Sequence, residues 1–152
     1  MLEVVDGQSR VMTLAGAPPT PVVTGLNNPT HVAADSAGNL YITDNGNNRV
    51  VKLPAGGGAQ ITLAAGLNNP GSIAVDSASL FIADSGNNKM IKLPIAGGTP
   101  VVLTAVLNNP ASIAVDSTSL YIADSGNNKV INLPIAGGTP VILLPALTTP
   151  PA

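Results

Sequence analysis

The feature that most constrains this chain is its internal repetition. "LYITDNGNNRV" (40–50), "LFIADSGNNKM" (80–90) and "LYIADSGNNKV" (120–130) are variants of one segment. Asp44, Asp84 and Asp124 are 40 residues apart, and Asp35, Asp76 and Asp116 are 41 and 40 apart. "LNNP" occurs at 26–29, 67–70 and 107–110. A fixed period of this size means a repeat architecture, in which one supersecondary unit stacks on its neighbours. Three copies begin near Leu26, Leu67 and Leu107, and the one extra residue lies in "AGNL" (37–40) against "ASL" (78–80). The frame divides a single repeat domain, 1–152, into a partial unit at 1–25, repeats at 26–66, 67–106 and 107–146, and the start of a further one at 147–152. "DGQSRVMTL" (6–14) matches "DNGNNRVVKL" (44–53) with one residue deleted, and "LTTPPA" (147–152) matches "LNNPAS".

Each copy reads as strands. "SIAVDS" is apolar and β-branched; "SLYIAD" alternates Leu120 and Ile122 with Tyr121 and Ala123. "SGNN" is a turn rich in Gly and Asn, which tolerate positive φ. "KVINLP" returns and is stopped by Pro134, "IAGG" turns, and "TPVILL" runs back. Helical spacing of apolar residues is absent. Four short strands in about 40 residues make the blade of a β-propeller. The expected fold is all-β, of four-stranded antiparallel blades, three complete and one partial at the amino terminus. The partial unit offers "LEVVDG", "RVMTL" and "PVVTGL" but lacks the inner "IAVD" strand.

"NNPASIAVDSTSLYIADSGNNKVINLPIAGG" resembles an NHL repeat in its proline, its "IAVD" strand and its "YIADSGNNKV" hairpin, and is similar to the related YWTD repeat. The resemblance implies a propeller, in rings that usually have six blades. It is compatible with several functions: protein-binding and RNA-binding modules, sensor domains of receptor kinases, lyases and lactonases.

Composition excludes some of these. Charged residues make up 9% of the chain and the net charge is −2, so no basic patch holds a nucleic acid. No apolar run is long enough for a membrane span. Glu3, Asp6 and Arg10 stand where a signal peptide has its apolar core. Cysteine is absent, which removes disulfides and thiolate metal sites without choosing a compartment; an extracellular or cell-envelope setting is expected.

Of the eight acidic residues, six are the repeated Asp pairs, Asp6 copies one member, and Glu3, expected in solvent, is off the pattern. Arg10, Arg49, Lys89 and Lys129 all follow the hairpin turn. Tyr41, Phe81 and Tyr121 share one position. Catalysis needs unlike groups with unlike pKa values, and almost every group here is a repeat position. "DSGNN" also lacks the distal bidentate carboxylate of a calcium loop. Asp44, Asp84 and Asp124 are therefore expected to bind the backbone of their own turns. Asp35, Asp76 and Asp116 are expected to tie the end of the inner strand to the following loop. In "LNNP", Pro is expected to hold the preceding Asn extended. The glycine runs at 55–58, 96–98 and 136–138 lack the lysine and helix of a phosphate loop.

His31 stands where the other copies have Ser72 and Ser112. It is the candidate ligand-binding residue, near the mouth of an axial channel. The expected function is a non-enzymatic scaffold or binding module for a protein or glycan, without cofactor or metal, completing its ring as a homo-oligomer, in the simplest case a dimer. The alternatives are an architectural surface or filament protein, and a lyase- or lactonase-like enzyme with a metal in the channel.

Overall fold

A computed structural model describes residues 2–5, 10–13 and 20–144, with side chains from 23 to 143. The protein is all-β. Its strands are β1 Leu2–Val5, β2 Arg10–Thr13, β3 Thr20–Val23, β4 Pro29–Ala34, β5 Leu40–Asp44, β6 Arg49–Leu53, β7 Ile61–Ala64, β8 Pro70–Val75, β9 Ser79–Asp84, β10 Lys89–Pro94, β11 Val101–Thr104, β12 Pro110–Val115, β13 Ser119–Asp124, β14 Lys129–Pro134 and β15 Val141–Leu144. They form antiparallel sheets in the orders β1-β2-β3, β4-β5-β6-β7, β8-β9-β10-β11 and β12-β13-β14-β15.

The sheets are propeller blades. Inner strand β4 lies against β8, and β8 against β12. The amino-terminal sheet has three strands, and β1 lies against β4 as second strand β5 lies against the next inner strand, β8. Its register departs from the expected match. Val5 pairs with Arg10, where Asp44, Asp84 and Asp124 pair with Arg49, Lys89 and Lys129. Val5 thus holds the register position that the aspartate holds in the other blades. The side chains of Glu3 and Asp6, and residues 147–152, lie outside the described residues.

Both faces of the second strands β5 and β9 are used. Leu80 and Ile82 join Tyr41, Val50, Leu67, Ile73 and Ile91 in the core between the first two complete blades. Phe81 and Ala83, one residue out of phase, join Met90, Leu107, Ile113, Leu120 and Ile122 in the next core. Val23, Leu26, Ile42 and Val51 fill the junction with the amino-terminal blade. The alternation seen in the sequence thus separates two apolar sets into two junctions, not core from solvent. Burying each Val, Leu or Ile side chain stabilises by about 1.5–3 kcal/mol.

The hairpin turns correct one expectation. Asn45–Asn47, Ser85–Asn87 and Ser125–Asn127 are single 3₁₀ turns, and the following Asn48, Asn88 and Asn128 carry the left-handed φ of 53°, 56° and 54°. Glycine serves a different need, close approach. The Gly126 N–H donates to the Asn108 carbonyl at 2.7 Å, and a Cβ on Gly126 would stand 2.6 Å from that oxygen. "LNNP" corrects another. Asn28, Asn69 and Asn109 are not extended but left-handed, with φ of 49°, 50° and 49°. Asn tolerates this region, and hydrogen bonds from neighbouring elements override the local preference before proline.

Gly126→Ala is expected to lower stability by about 1–3 kcal/mol, because the added methyl group meets a backbone oxygen that cannot yield without breaking its bond. An unchanged denaturation midpoint would show that the loop relaxes freely.

Candidate functional site

The repeated carboxylates fall into two sets, at opposite ends of the second strand. The first set is fully buried: Asp44, Asp84 and Asp124 have no exposed surface. Their Oδ1 atoms accept the backbone N–H of Asn27, Asn68 and Asn108 at 2.6, 2.7 and 2.7 Å. Their Oδ2 atoms accept Nδ2 of Asn47, Asn87 and Asn127, each at 2.8 Å. A cation completes each shell: Arg49 Nε at 2.6 Å, Lys89 Nζ at 3.6 Å and Lys129 Nζ at 3.7 Å. The expected bond to the backbone of their own turns is absent; no side-chain cap closes any of the three. Each carboxylate reaches back 16 or 17 residues to the loop that opens its own repeat. The turn amides are engaged elsewhere: Gly46, Gly86 and Gly126 donate to the carbonyls of Asn27, Asn68 and Asn108.

The second set closes local loops. Asp35 Oδ1 accepts the N–H of Ala37 and of Asn39, and Oδ2 accepts Asn39 Nδ2 and the Tyr41 hydroxyl at 2.9 Å. Asp76 accepts the N–H of Ala78 and Ser79. Asp116 accepts those of Thr118 and Ser119, with the Tyr121 hydroxyl at 2.8 Å. These donors hold the Asp116 carboxyl down at about 2, chiefly through the Thr118 amide. The Asn39 side chain is the main cause of the lowering at Asp35. Tyr41 is pushed up to about 12, first by burial and then by its bond to Asp35.

His31 sits on β4 opposite Thr43, whose hydroxyl donates to the His31 carbonyl at 3.2 Å. Its ring is half-buried, and desolvation lowers its pKa. Among the described residues, no three of His, Cys, Asp and Glu converge on a point that a metal ion could occupy. Among the same residues, no helix is long and apolar enough to cross a membrane. The structure does not bring the predicted residues into one site; it distributes them one pair to a blade.

Sequence reasoning missed the links between blades. Asn48 Oδ1 accepts the N–H of Asn69 at 3.0 Å, and Asn88 Oδ1 that of Asn109 at 2.8 Å. Asn45 Nδ2 donates to the Pro70 carbonyl at 2.9 Å, and Ser85 Oγ donates to that of Pro110 at 2.5 Å. The signal was present in the invariance of "GNN" between copies, but periodicity does not say which copy an asparagine touches. Two grooves also follow blade junctions. One, of about 520 Å³, runs between Asp35, Asn39, Lys52 and Ile95; the other, of about 430 Å³, between Lys92, Val102, Leu103 and Ile135. The lysines lie over the rings of Tyr41 and Phe81, at 5.7 and 5.9 Å.

Two outcomes follow. Asp84→Ala is expected to cost roughly 1–3 kcal/mol, since the Asn68 amide loses its acceptor, and calcium is expected to leave the melting temperature of the parent unchanged. A calcium-dependent rise that the variant loses would contradict the assignment. Tyr41 is favoured in its neutral form when folded. Its contribution is therefore complete below about pH 10, the ordinary tyrosine value, and is lost as pH rises through about 12. Tyr41→Phe should flatten that alkaline loss of stability; an identical pH profile would contradict it.

Residues 26–53 match the NHL repeat. No curated protein matches the chain by sequence. Among solved structures, the fold is similar to a chain of a nidogen/laminin complex, at 27% identity and a TM-score of 0.76, over 85% of this chain and 52% of that one. It is similar to a streptogramin B lyase, at 20% identity and 0.74, over 89% and 47%. It also resembles virginiamycin B lyase from Staphylococcus aureus, at 16% and 0.75, over 98% and 55%. The chain spans about half the length of the structures it matches. Repeat sequence, blade topology and these likenesses agree: the chain carries an NHL repeat at residues 26–53 and has a fold similar to that of β-propellers.

Proposed function

We propose that the protein is a non-enzymatic propeller module that binds a protein or glycan partner and completes its ring with a second copy, in an extracellular or cell-envelope setting. One observation carries this reading: the buried carboxylates already have their oxygens occupied by the chain's own amides, asparagines and cations. A saturated carboxylate has little left with which to hold a metal or move a proton. Among the described side chains, His31 departs from the repeat, and no converging carboxylate pair surrounds it. The nidogen/laminin likeness supports a protein partner, because that structure is itself a protein complex; the likeness to the lyases is one of fold.

The competing enzyme reading has a direct test. A virginiamycin B lyase of this fold has been seen with quinupristin. Incubating the chain with quinupristin and a divalent metal is expected to leave the compound intact. Conversion that disappears in His31→Ser would replace the binding reading with a lyase.

A further inference from the structure

We infer that the groove between the blades β8–β11 and β12–β15 takes an extended, apolar peptide segment that carries a carboxylate, laid along the edge strand β11. The inference rests on the protein-binding reading and names the surface and the chemistry of the partner.

The groove is the outer end of a blade junction. Ala74 pairs with Phe81, Phe81 with Lys92, and Lys92 with Val101. Directly paired residues share one face of a sheet, so these form a row running outward from the channel side. Ala74 and Phe81 are buried in the junction core, Lys92 is half-buried, and Val101 is 54% exposed. The next blade therefore covers the inner part of the row and leaves the outer part as a groove of about 430 Å³, bounded on the far side by Ile135 and Ala136.

The strand edge calls for an extended chain. β11 is the last strand of its sheet, so the backbone groups on its outer side pair with no strand among the described residues. Val101 pairs with Lys92, whereas Val102 pairs with Ile91, which packs in the opposite junction. A groove lined by both valines reaches round the edge of the strand itself. Such an edge accepts an added strand through main-chain hydrogen bonds, and alternate side chains supply specificity. Val102, 51% exposed, makes that edge apolar.

Lys92 supplies the charge. Lys89, on the same strand, lies 3.6 Å from Asp84, whereas Lys92 forms no ion pair among the described residues and lies over the Phe81 ring. Neighbouring copies lack this combination. The groove at the preceding junction holds Asp35 as well as Lys52, and the following blade has Asn132 in place of the lysine. A cation in an apolar wall, with no carboxylate of its own chain lining the groove, is complementary to a carboxylate on the partner.

The probe is a short capped peptide alternating Val and Glu, titrated into the isotope-labelled chain and read by amide chemical shifts. The amides of Val101–Thr104 and of residues 135–137 are expected to move. Lys92→Asn introduces the residue type that the third repeat carries at Asn132, so it is expected to keep the parent's fold and to bind the peptide roughly tenfold more weakly, as for a lost hydrogen bond to a charged group. Exchanging Glu for Gln in the peptide should weaken binding to the parent by a similar factor and leave binding to Lys92→Asn unchanged. A peptide with methylated backbone nitrogens should not bind. Equal affinity of the parent for the Glu and Gln peptides would overturn the role of Lys92, and retained binding of the methylated peptide would overturn strand addition. Shifts confined to other residues would overturn the groove. Decanoate moving these amides where the peptide does not would replace the peptide with a small amphiphile. None of these results touches the binding reading, which falls to the conversion of quinupristin instead.

Discussion

The structure depends on a buried carboxylate that closes each repeat upon itself. Asp44, Asp84 and Asp124 end the second strand of a blade and seize the loop that began it. A charge with no exposure to water is tolerated only when it is paired and hydrogen-bonded, and here amide, carboxamide and cation supply those partners together. The bond fixes the loop, and the loop carries Leu26, Leu67 and Leu107 into the junctions between blades. Removing the carboxylate therefore disturbs both the turn and the packing of the neighbouring blade.

That coupling explains the composition. A middle strand with both faces in apolar junctions has no side free for charge. The few charged groups are gathered at its ends, in the Asp pairs, and on the third strand beside them. A charged content of 9% is the consequence of stacking, not a sign of a membrane or of a catalytic pocket. Repeats stacked in this way gain stability mainly from nearest-neighbour junctions.

The all-β class, the four strands of each blade and the positions of their turns were legible because period-2 alternation and the Gly, Asn and Pro signals recur three times. That the repeated carboxylates accept backbone hydrogen bonds was legible, since Asp at a fixed place beside Gly and Asn does so in turns. Their partners were not. Asp84 was expected to bind its own turn, yet Asn68 lies closer in space although it is 16 residues away. The geometry before proline in "LNNP" was misread for the same reason: Asn69 is held left-handed by Asn48 from another blade. Local rules weigh neighbours in sequence, and these residues are fixed by neighbours in the stack. The slipped register of β1 was hidden by a one-residue deletion that sequence matching alone assigns to the turn.

The central claim, that the carboxylate-to-loop bond is the structural fastening of each four-stranded blade, is tested most directly by native-state hydrogen exchange at the backbone amides of Asn68 and Asn108. The account predicts protection approaching that of the core strands β9 and β13, with exchange of these loop amides requiring opening of a whole blade. Exchange as fast as that of the exposed turns at 96–98 and 136–138 would contradict it.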